Sequence, residues 1–279
     1  MTNVSVSPHR SVLRSLSIPV SIKITGIYII VGCLWILLSD KFLLLLTSDM
    51  ASLSTLQTTK GWIYVMVTAG LLYSLIERNF STVQKSQQEL RYSYNATLEG
   101  WVRALDMRDK ETEGHTQRVA ELTLRLAREM GMGDADLEHV RRGALMHDIG
   151  KTGVPDRILL KPDMLDDEEL AIMRRHPVYA YEFLSPIPYL RQALDIPYCH
   201  HERWDGTGYP RGLKGEQIPL SARIFAVADV YDALRSDRPY RKAWPAEKVH
   251  EHIVANSGKH FDPHVVSMFM HLFTTEADR

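Results

Sequence analysis

The sequence DADLEHVRRGALMHDIGK, residues 134–151, has the pattern of a helix that ends in two metal-binding side chains. Leu137, Val140 and Leu145 fall at the spacing of one helical face. The helix then runs into His147-Asp148-Ile149-Gly150-Lys151, where an imidazole and a carboxylate are neighbours. This pattern predicts an all-α fold in which helix ends carry the functional side chains.

A second string rich in metal ligands is His200-His201-Glu202-Arg203-Trp204-Asp205-Gly206-Thr207-Gly208-Tyr209-Pro210. Further isolated candidates are Glu111, His115, His176 and Asp229. One His–Asp pair is weak evidence for a metal site, whereas two such strings with four additional ligands indicate a multinuclear centre. Imidazole combined with carboxylate suits iron, manganese, zinc or nickel better than calcium or magnesium.

The composition separates an apolar N-terminal part from a charged remainder. The 279 residues are enough for one medium domain and an appendage. Residues 18–77 are strongly apolar, whereas residues 78–279 hold most of the charged side chains. The net charge of −1 creates no overall field that would attract a nucleic acid polymer, so we expect no such partner.

Residues 18–77 form a predicted membrane segment with two transmembrane helices. The apolar runs 24–38 and 61–76, with their flanks, approach the ~20 residues that a bilayer requires. The basic side chains before the first run and after the second are Arg10, Arg14, Lys23, Arg78, Lys85 and Arg91. This distribution predicts that both chain ends, including the N-terminal segment 1–17, are cytoplasmic. A buried soluble hairpin and a signal peptide are alternative interpretations.

Residues 78–95 are predicted to be a helical linker because they contain neither glycine nor proline. Side chains at three-four spacing form a stripe that continues to residue 94: Phe80, Val83, Gln87, Leu90 and Tyr94. A stripe of about two heptads fits a short parallel coiled coil, which would make the chain a homodimer. It fits equally well a single amphipathic helix that lies on the domain.

Residues 96–279 are predicted to be a helical bundle. An apolar stripe followed by a glycine stop consists of Val119, Leu122, Leu126, Met130 and Gly131. Four glycines and two prolines predict a loop over residues 206–219. Cys199, next to a ligand histidine, is either a soft metal ligand or a small buried thiol.

The candidate ligands fall at particular places on these helices. His147, His176 and His200 are each expected at the end of a helix, which would bring helix ends together at one pocket. Asp229 lies within a helix between apolar neighbours and needs a partner there, because an unpaired buried carboxylate is costly. Glu111 and His115 share a face if their helix starts early enough.

These motifs together resemble the HD-GYP family, a branch of the HD metal-dependent phosphohydrolases, over roughly residues 96–275. The matching strings are Gly114-His115-Thr116, His147-Asp148-Ile149-Gly150-Lys151, Arg175-His176-Pro177, His200 to Pro210, Val227-Ala228-Asp229-Val230-Tyr231-Asp232-Ala233-Leu234 and Arg238-Pro239-Tyr240-Arg241. Paired histidines followed by Gly208-Tyr209-Pro210 separate this branch from nucleotide triphosphohydrolases. The resemblance implies a helical HD-type bundle after the membrane segment.

The resemblance also implies a centre of two or three transition-metal ions, with iron or manganese expected first and zinc or nickel as alternatives. The first ion would be held by His115, His147, Asp148 and Asp229. The second would be held by Asp148, His176, His200 and His201. Glu111 matches a position that supports a third ion in some family members, and is otherwise a solvated charge near a helix start.

The activity implied by the resemblance is hydrolysis of cyclic di-GMP to pGpG and on to GMP. Asp148 and Lys151 would act in catalysis, and Lys151, Arg238, Arg241 and Tyr209 would contact the substrate. Tyr209 would either stack on a base or pack its loop. From the two predicted spans and the basic side chains beside them we expect a bacterial inner membrane protein with a cytoplasmic catalytic domain. The resemblance implies a diguanylate cyclase partner in some members. A different cyclic nucleotide as substrate, or ligand binding without turnover, are the alternatives.

Overall fold

The computed structural model describes residues 19–46, 50–109, 114–237 and 241–277. The chain divides into two compact units, Met1–Arg91 and Tyr92–Arg279. The predicted cytoplasmic segment 1–17 lies outside the described residues.

The N-terminal unit contains helix α1, Val20–Leu46, and the first part of helix α2, Met50–Asp109. Both helices are long and apolar enough to cross a membrane, and α1 has a mean hydropathy of 2.1 over residues 20–43. Only 6% of the most apolar window of each helix is buried. This exposure argues against the soluble hairpin, whose apolar faces would be covered.

Residues 78–95 lie inside α2, so the segment predicted as a linker is part of one helix of 60 residues. Three apolar members of its predicted stripe, Phe80, Val83 and Leu90, are exposed. The last member of the stripe differs, because the ring of Tyr94 stacks on Tyr189 with ring centroids 4.8 Å apart.

In the C-terminal unit, the described residues after α2 form nine α-helices. They are α3, His115–Glu129; α4, Asp134–Leu145; α5, Asp156–Leu159; α6, Asp167–Met173; α7, His176–Leu184; α8, Asp195–Cys199; α9, Leu220–Arg235; α10, Ala246–Ala255; and α11, Pro263–Ala277. Short 3-10 helices cover Ile149–Gly153, Pro188–Ala193 and Gly215–Gln217. The described residues form no strand beyond one isolated bridge, so the predicted all-α fold is confirmed.

Helix α3 lies at the centre of this unit and packs against both α4 and α9. Its apolar stripe is the reason, because Val119 and Leu126 are fully buried. The helix ends at Glu129, and Gly131 follows with a φ of 80°, as the predicted glycine stop requires. The packing of α3 fixes His115, its first residue, against α9.

One predicted helix end is wrong. His176 begins α7 instead of ending the preceding helix, because Pro177 is tolerated in a first turn, where its missing N–H has no acceptor to satisfy. Helix α3 begins at His115, after Gly114 with a φ of 74°. Glu111 itself lies outside the described residues.

Candidate metal centre

Two groups of potential metal ligands lie side by side in the C-terminal unit. The first consists of His115, His147 and Asp229, which come from the start of α3, the turn after α4 and the middle of α9. In each group the ligand atoms lie within 4.8 Å of one another. The partner that Asp229 needs is His115, whose Nε2 is 3.3 Å from Asp229 Oδ1.

The second group consists of His176, His200 and His201. His176 is the first residue of α7, and the adjacent pair follows α8. The Nε2 atoms of His176 and His200 are 3.2 Å apart. Thus three imidazoles from two distant stretches of the chain converge on one point.

Asp148 lies between the two groups and faces both. Its Oδ2 is 3.0 Å from Nε2 of His147, in the first group. Its Oδ1 is 3.3 Å from Nε2 of His176 and 3.8 Å from Nε2 of His200, in the second. One carboxylate therefore offers an oxygen atom to each group.

The backbone sets the tautomers of three of these histidines. The Nδ1 atoms of His147, His176 and His200 lie 2.9, 2.9 and 3.1 Å from the carbonyl oxygens of residues 144, 173 and 196. A carbonyl can only accept a hydrogen bond, so each Nδ1 carries the proton and each Nε2 presents a lone pair. Two lone pairs that face each other across 3.2 Å suit a shared cation.

The electrostatics keep the second group neutral. Burial, followed by the charge of His176, lowers the pKa of His200 to about 3. Burial and His200 lower the pKa of His201 well below its ordinary value, and burial lowers that of His176 despite the opposing effect of Asp148. All three are therefore unprotonated at neutral pH, which is the form that binds a metal.

Asp148 is ionised at neutral pH. Burial acts to raise its pKa, but nearby positive charge, foremost that of Lys151, holds it well below the ordinary range. Neutral imidazoles, an ionised carboxylate at the centre and a second carboxylate at Asp229 form a donor set that fits divalent metal ions.

A cavity of about 330 Å³ opens on these groups. Its lining includes Lys151 and Asp109 together with Asp148 and every member of the two groups except His115. Lys151 Nζ lies 2.8 Å from Asp148 Oδ2 and 2.6 Å from Asp109 Oδ2. The predicted position of Lys151 beside the ligands is thus observed, whereas the sequence pattern gave no indication of Asp109.

The Gly208-Tyr209-Pro210 string builds the loop that supports His201. A side chain on Gly208 would collide with backbone atoms of Arg203, Glu202 and His201 at 2.4–2.6 Å, so only glycine fits there. Tyr209 stacks on the imidazole of His201, with ring centroids 4.6 Å apart, and also lines the cavity. The packing interpretation of Tyr209 is therefore supported, and a base contact stays a prediction.

Asp232 is a site residue that sequence reasoning missed. Its Oδ2 lies 2.7 Å from Nδ1 of His115, and it also accepts hydrogen bonds of 2.7 and 2.9 Å from Arg118. Burial acts to raise the pKa of Asp232, but the hydrogen bonds from His115 and Arg118 lower it to about 2. Its spacing of three from Asp229, which puts both residues on one helical face, was the available signal.

The remaining predicted residues lie apart from the ligands or outside the described residues. Glu111 and Arg238 belong to the latter. Arg241 donates hydrogen bonds to the carbonyl oxygens of Ala233 and Leu234 at the end of α9. Cys199 is buried, and burial followed by Glu202 raises its thiol pKa to about 12, as expected of a small buried thiol.

The chain is similar to known proteins over most of its length. The HD domain family matches residues 101–265 of the chain. The chain is 40% identical over 230 residues to a cyclic di-GMP phosphodiesterase of Thermotoga maritima, covering 80% of this chain and 62% of that protein. It is 39% identical over 184 residues to 3′3′-cGAMP-specific phosphodiesterase 2 of Vibrio cholerae, covering 65% of this chain and 35% of that one. It thus spans less than two thirds of either relative.

A solved structure shares the fold. The crystal structure of a cyclic GMP-AMP specific phosphodiesterase in V. cholerae matches with a TM-score of 0.50 at 19% identity, covering 64% of this chain and 48% of that one. At this identity the likeness concerns the fold alone. With the family match over residues 101–265 and the His-Asp and Gly-Tyr-Pro motifs around one cavity, the chain belongs to the HD domain family, in its HD-GYP branch.

Proposed function

We propose that the chain is a membrane-anchored, metal-dependent phosphodiesterase that hydrolyses cyclic di-GMP. The observation that carries the proposal is Asp148, which faces one ligand group with each of its oxygens at the bottom of a cavity lined by Lys151. The activities named for the relatives, on cyclic di-GMP and on 3′3′-cGAMP, support the substrate class.

The proposed ligands follow from the two groups. One ion would be held by His115, His147, Asp148 and Asp229, and the other by Asp148, His176, His200 and His201. Glu111 stays a candidate for a third ion. Iron or manganese is our first expectation, since both accept mixed imidazole and carboxylate ligands.

The proposed reaction opens one 3′–5′ phosphodiester of the ring. The oxygen of a water molecule adds to phosphorus, the bond to the 3′ oxygen breaks, and that oxygen takes a proton, which gives linear pGpG. A second hydrolysis would give GMP. A pair of divalent ions, when bound, would activate the water and neutralise charge on the phosphoryl oxygens.

The protein's own residues would orient the substrate around that centre. Lys151 points its ammonium group into the cavity beside Asp148, where it can donate to a phosphoryl oxygen as negative charge builds. Tyr209 holds His201 by stacking and is part of the cavity lining. Arg238 and Arg241 stay predicted phosphate contacts, and Arg241 would have to leave its carbonyl partners to act as one.

Hydrolysis of 3′3′-cGAMP is the second candidate, favoured by the relative of that specificity. Incubation of the purified 279-residue chain with Mn²⁺ and each cyclic dinucleotide, followed by chromatography of the products, separates the two. We expect kcat/KM for cyclic di-GMP to be the higher, and a higher value for 3′3′-cGAMP would reverse the assignment. A cyclic nucleotide retained without any product would support a binding module instead.

Variants test whether the two ligand groups carry the activity. His147→Ala should lose metal and turnover together, because it removes one ligand and the neighbour of Asp148 Oδ2. The matched control is His264→Ala, which removes an exposed histidine from the start of α11. Full turnover by His147→Ala would refute the assignment of the site.

The membrane anchor and the dimer belong to the same proposal. Two exposed apolar helices and the distribution of basic residues support a multi-pass protein of a bacterial inner membrane with both ends cytoplasmic. The exposed stripe formed by Phe80, Val83 and Leu90 supports a parallel homodimer along α2. A diguanylate cyclase partner stays a prediction of the family resemblance.

A further inference from the structure

The last two residues of α2 contact the segment that carries the HD motif. Asp109 lines the cavity, and its Oδ2 lies 2.6 Å from Lys151 Nζ. The same ammonium group lies 2.8 Å from Asp148 Oδ2. Lys151 therefore stands between the carboxylate shared by both ligand groups and a carboxylate supplied by α2.

Arg108 holds the backbone of the same segment. Its Nε donates a 2.8 Å hydrogen bond to Asp156 Oδ1, and one terminal nitrogen donates a 2.7 Å bond to the carbonyl oxygen of Val154. The other terminal nitrogen lies 3.2 and 3.3 Å from the carbonyl oxygens of Lys151 and Thr152. One guanidinium thus contacts four acceptors, two in the 3-10 helix that bears Lys151 and two directly after it.

These contacts place a buried charge pair at the metal centre. The side chains of Lys151 and Asp109 are only 15% and 10% exposed, so their attraction is weakly screened by water. The ammonium group already lies 2.8 Å from Asp148 Oδ2, so without the charge of Asp109 its attraction in this contact would be directed at Asp148 alone. The oxygen it contacts, Oδ2, is the one that faces His147 in the first ligand group.

We propose that Arg108 and Asp109 are positioning residues, which hold Lys151 in the cavity and keep its ammonium group from competing with a metal ion for Asp148. The inference rests on the proposed function, because it assumes that the two ligand groups bind metal. It assigns the C-terminal end of α2 to the reaction machinery, beyond the ligands themselves.

The test is a double-mutant cycle on the 279-residue chain, with Mn²⁺ affinity measured by calorimetry and kcat and KM measured on cyclic di-GMP. Asp109→Asn should weaken Mn²⁺ binding about tenfold, the lower end of what loss of a supporting group costs a metal site. It should lower kcat roughly tenfold with KM changed less than about twofold. If Asp109 acts through Lys151, adding Asp109→Asn to Lys151→Gln should have little further effect. The single variant Lys151→Gln and the double variant should then differ by less than about twofold in both Mn²⁺ affinity and kcat.

Arg108→Lys tests the second contact and stays informative if Asp109→Asn does not fold. It keeps the charge but cannot reach four acceptors, so kcat should fall by roughly tenfold while Mn²⁺ affinity stays at the wild-type value. The matched control is Arg103→Gln, which removes an exposed arginine from the same helix and should change neither quantity.

If Asp109→Asn and Lys151→Gln acted independently, the fold losses of Mn²⁺ affinity and kcat in the double variant would be the product of the two single losses. That result would overturn the proposal. Wild-type values in both Asp109→Asn and Arg108→Lys would also overturn it. A wild-type chain that binds no Mn²⁺ and forms no product would instead refute the proposed function, so the two failures are distinguishable.

Discussion

Replacing Asp232 by Asn tests whether a charged acceptor behind His115 supports the first ligand group. The substitution keeps the size of the side chain but removes the charge that pairs with Arg118. It also weakens the acceptor that keeps a proton on Nδ1 of His115 and leaves Nε2 free for a metal ion. We therefore expect both folding and metal binding to suffer.

The magnitude follows from the pKa of Asp232. Burial acts to raise it, and the bonds from His115 and Arg118 bring it down from 3.8 to about 2. At 1.36 kcal/mol for each pKa unit, the lowered pKa of Asp232 corresponds to a stabilisation of the folded state of about 2 kcal/mol. Because Arg118 is half-exposed and water screens its charge, we expect about 1–2 kcal/mol of this in the free energy of unfolding. Because the folded pKa is the lower one, this stabilisation is present above about pH 4 and is lost as the pH falls toward 2.

The assay compares urea unfolding of the metal-free chain with its Mn²⁺ affinity. Asp232→Asn should unfold at lower urea concentration, and its affinity for the ion of the first group should fall by roughly 10- to 100-fold. The control is Glu121→Gln, the same carboxylate-to-amide change on an exposed face of α3. Wild-type Mn²⁺ affinity and stability within about 0.5 kcal/mol in Asp232→Asn would refute the reasoning.

Three further predictions concern the packing and protonation of the centre. Gly150→Ala should abolish metal binding and lower Tm, because a Cβ there would lie 1.8 Å from the backbone oxygen of His176; a wild-type melting curve would contradict this. Tyr209→Phe should keep near wild-type turnover and Tyr209→Ala should lose it, because stacking on His201 needs the ring and not the hydroxyl; steady-state kinetics decide the matter. The pKa of His200 is about 3, and those of His176 and His201 are also lowered, so the Mn²⁺ affinity of the second group should change little between pH 6 and 8. Buffer-corrected calorimetry measures this affinity, and a steep loss at pH 6 would indicate histidines with ordinary pKa values.

The fold and the meeting of the ligands were predictable because helical periodicity and His-Asp spacing are local properties of the sequence. The apolar stripe of α3 and the glycine stop at Gly131 are observed where the pattern predicts them. The seven predicted ligands within the described residues also converge on one cavity or its edge. Their binding of metal stays a prediction.

What the sequence did not predict depends on contacts between distant segments. The 3.6-residue pattern cannot tell whether a histidine beside Pro177 ends one helix or begins the next, and His176 begins α7. Asp109 became visible as a site residue only once the end of α2 was placed beside the HD motif, and no spacing along the chain signals that contact. The spacing of Asp232 from Asp229 puts both on one face of α9, but its contacts with His115 and Arg118 became visible only once α9 was placed beside α3.

The central claim is that Asp148 is shared by two metal ions. The most direct measurement is anomalous X-ray scattering from crystals of the chain grown with Mn²⁺. We predict two anomalous peaks, one beside each carboxylate oxygen of Asp148. Each peak should be surrounded by the side chains of one of the two ligand groups. A single peak remote from Asp148, or none at full Mn²⁺ saturation, would contradict the account.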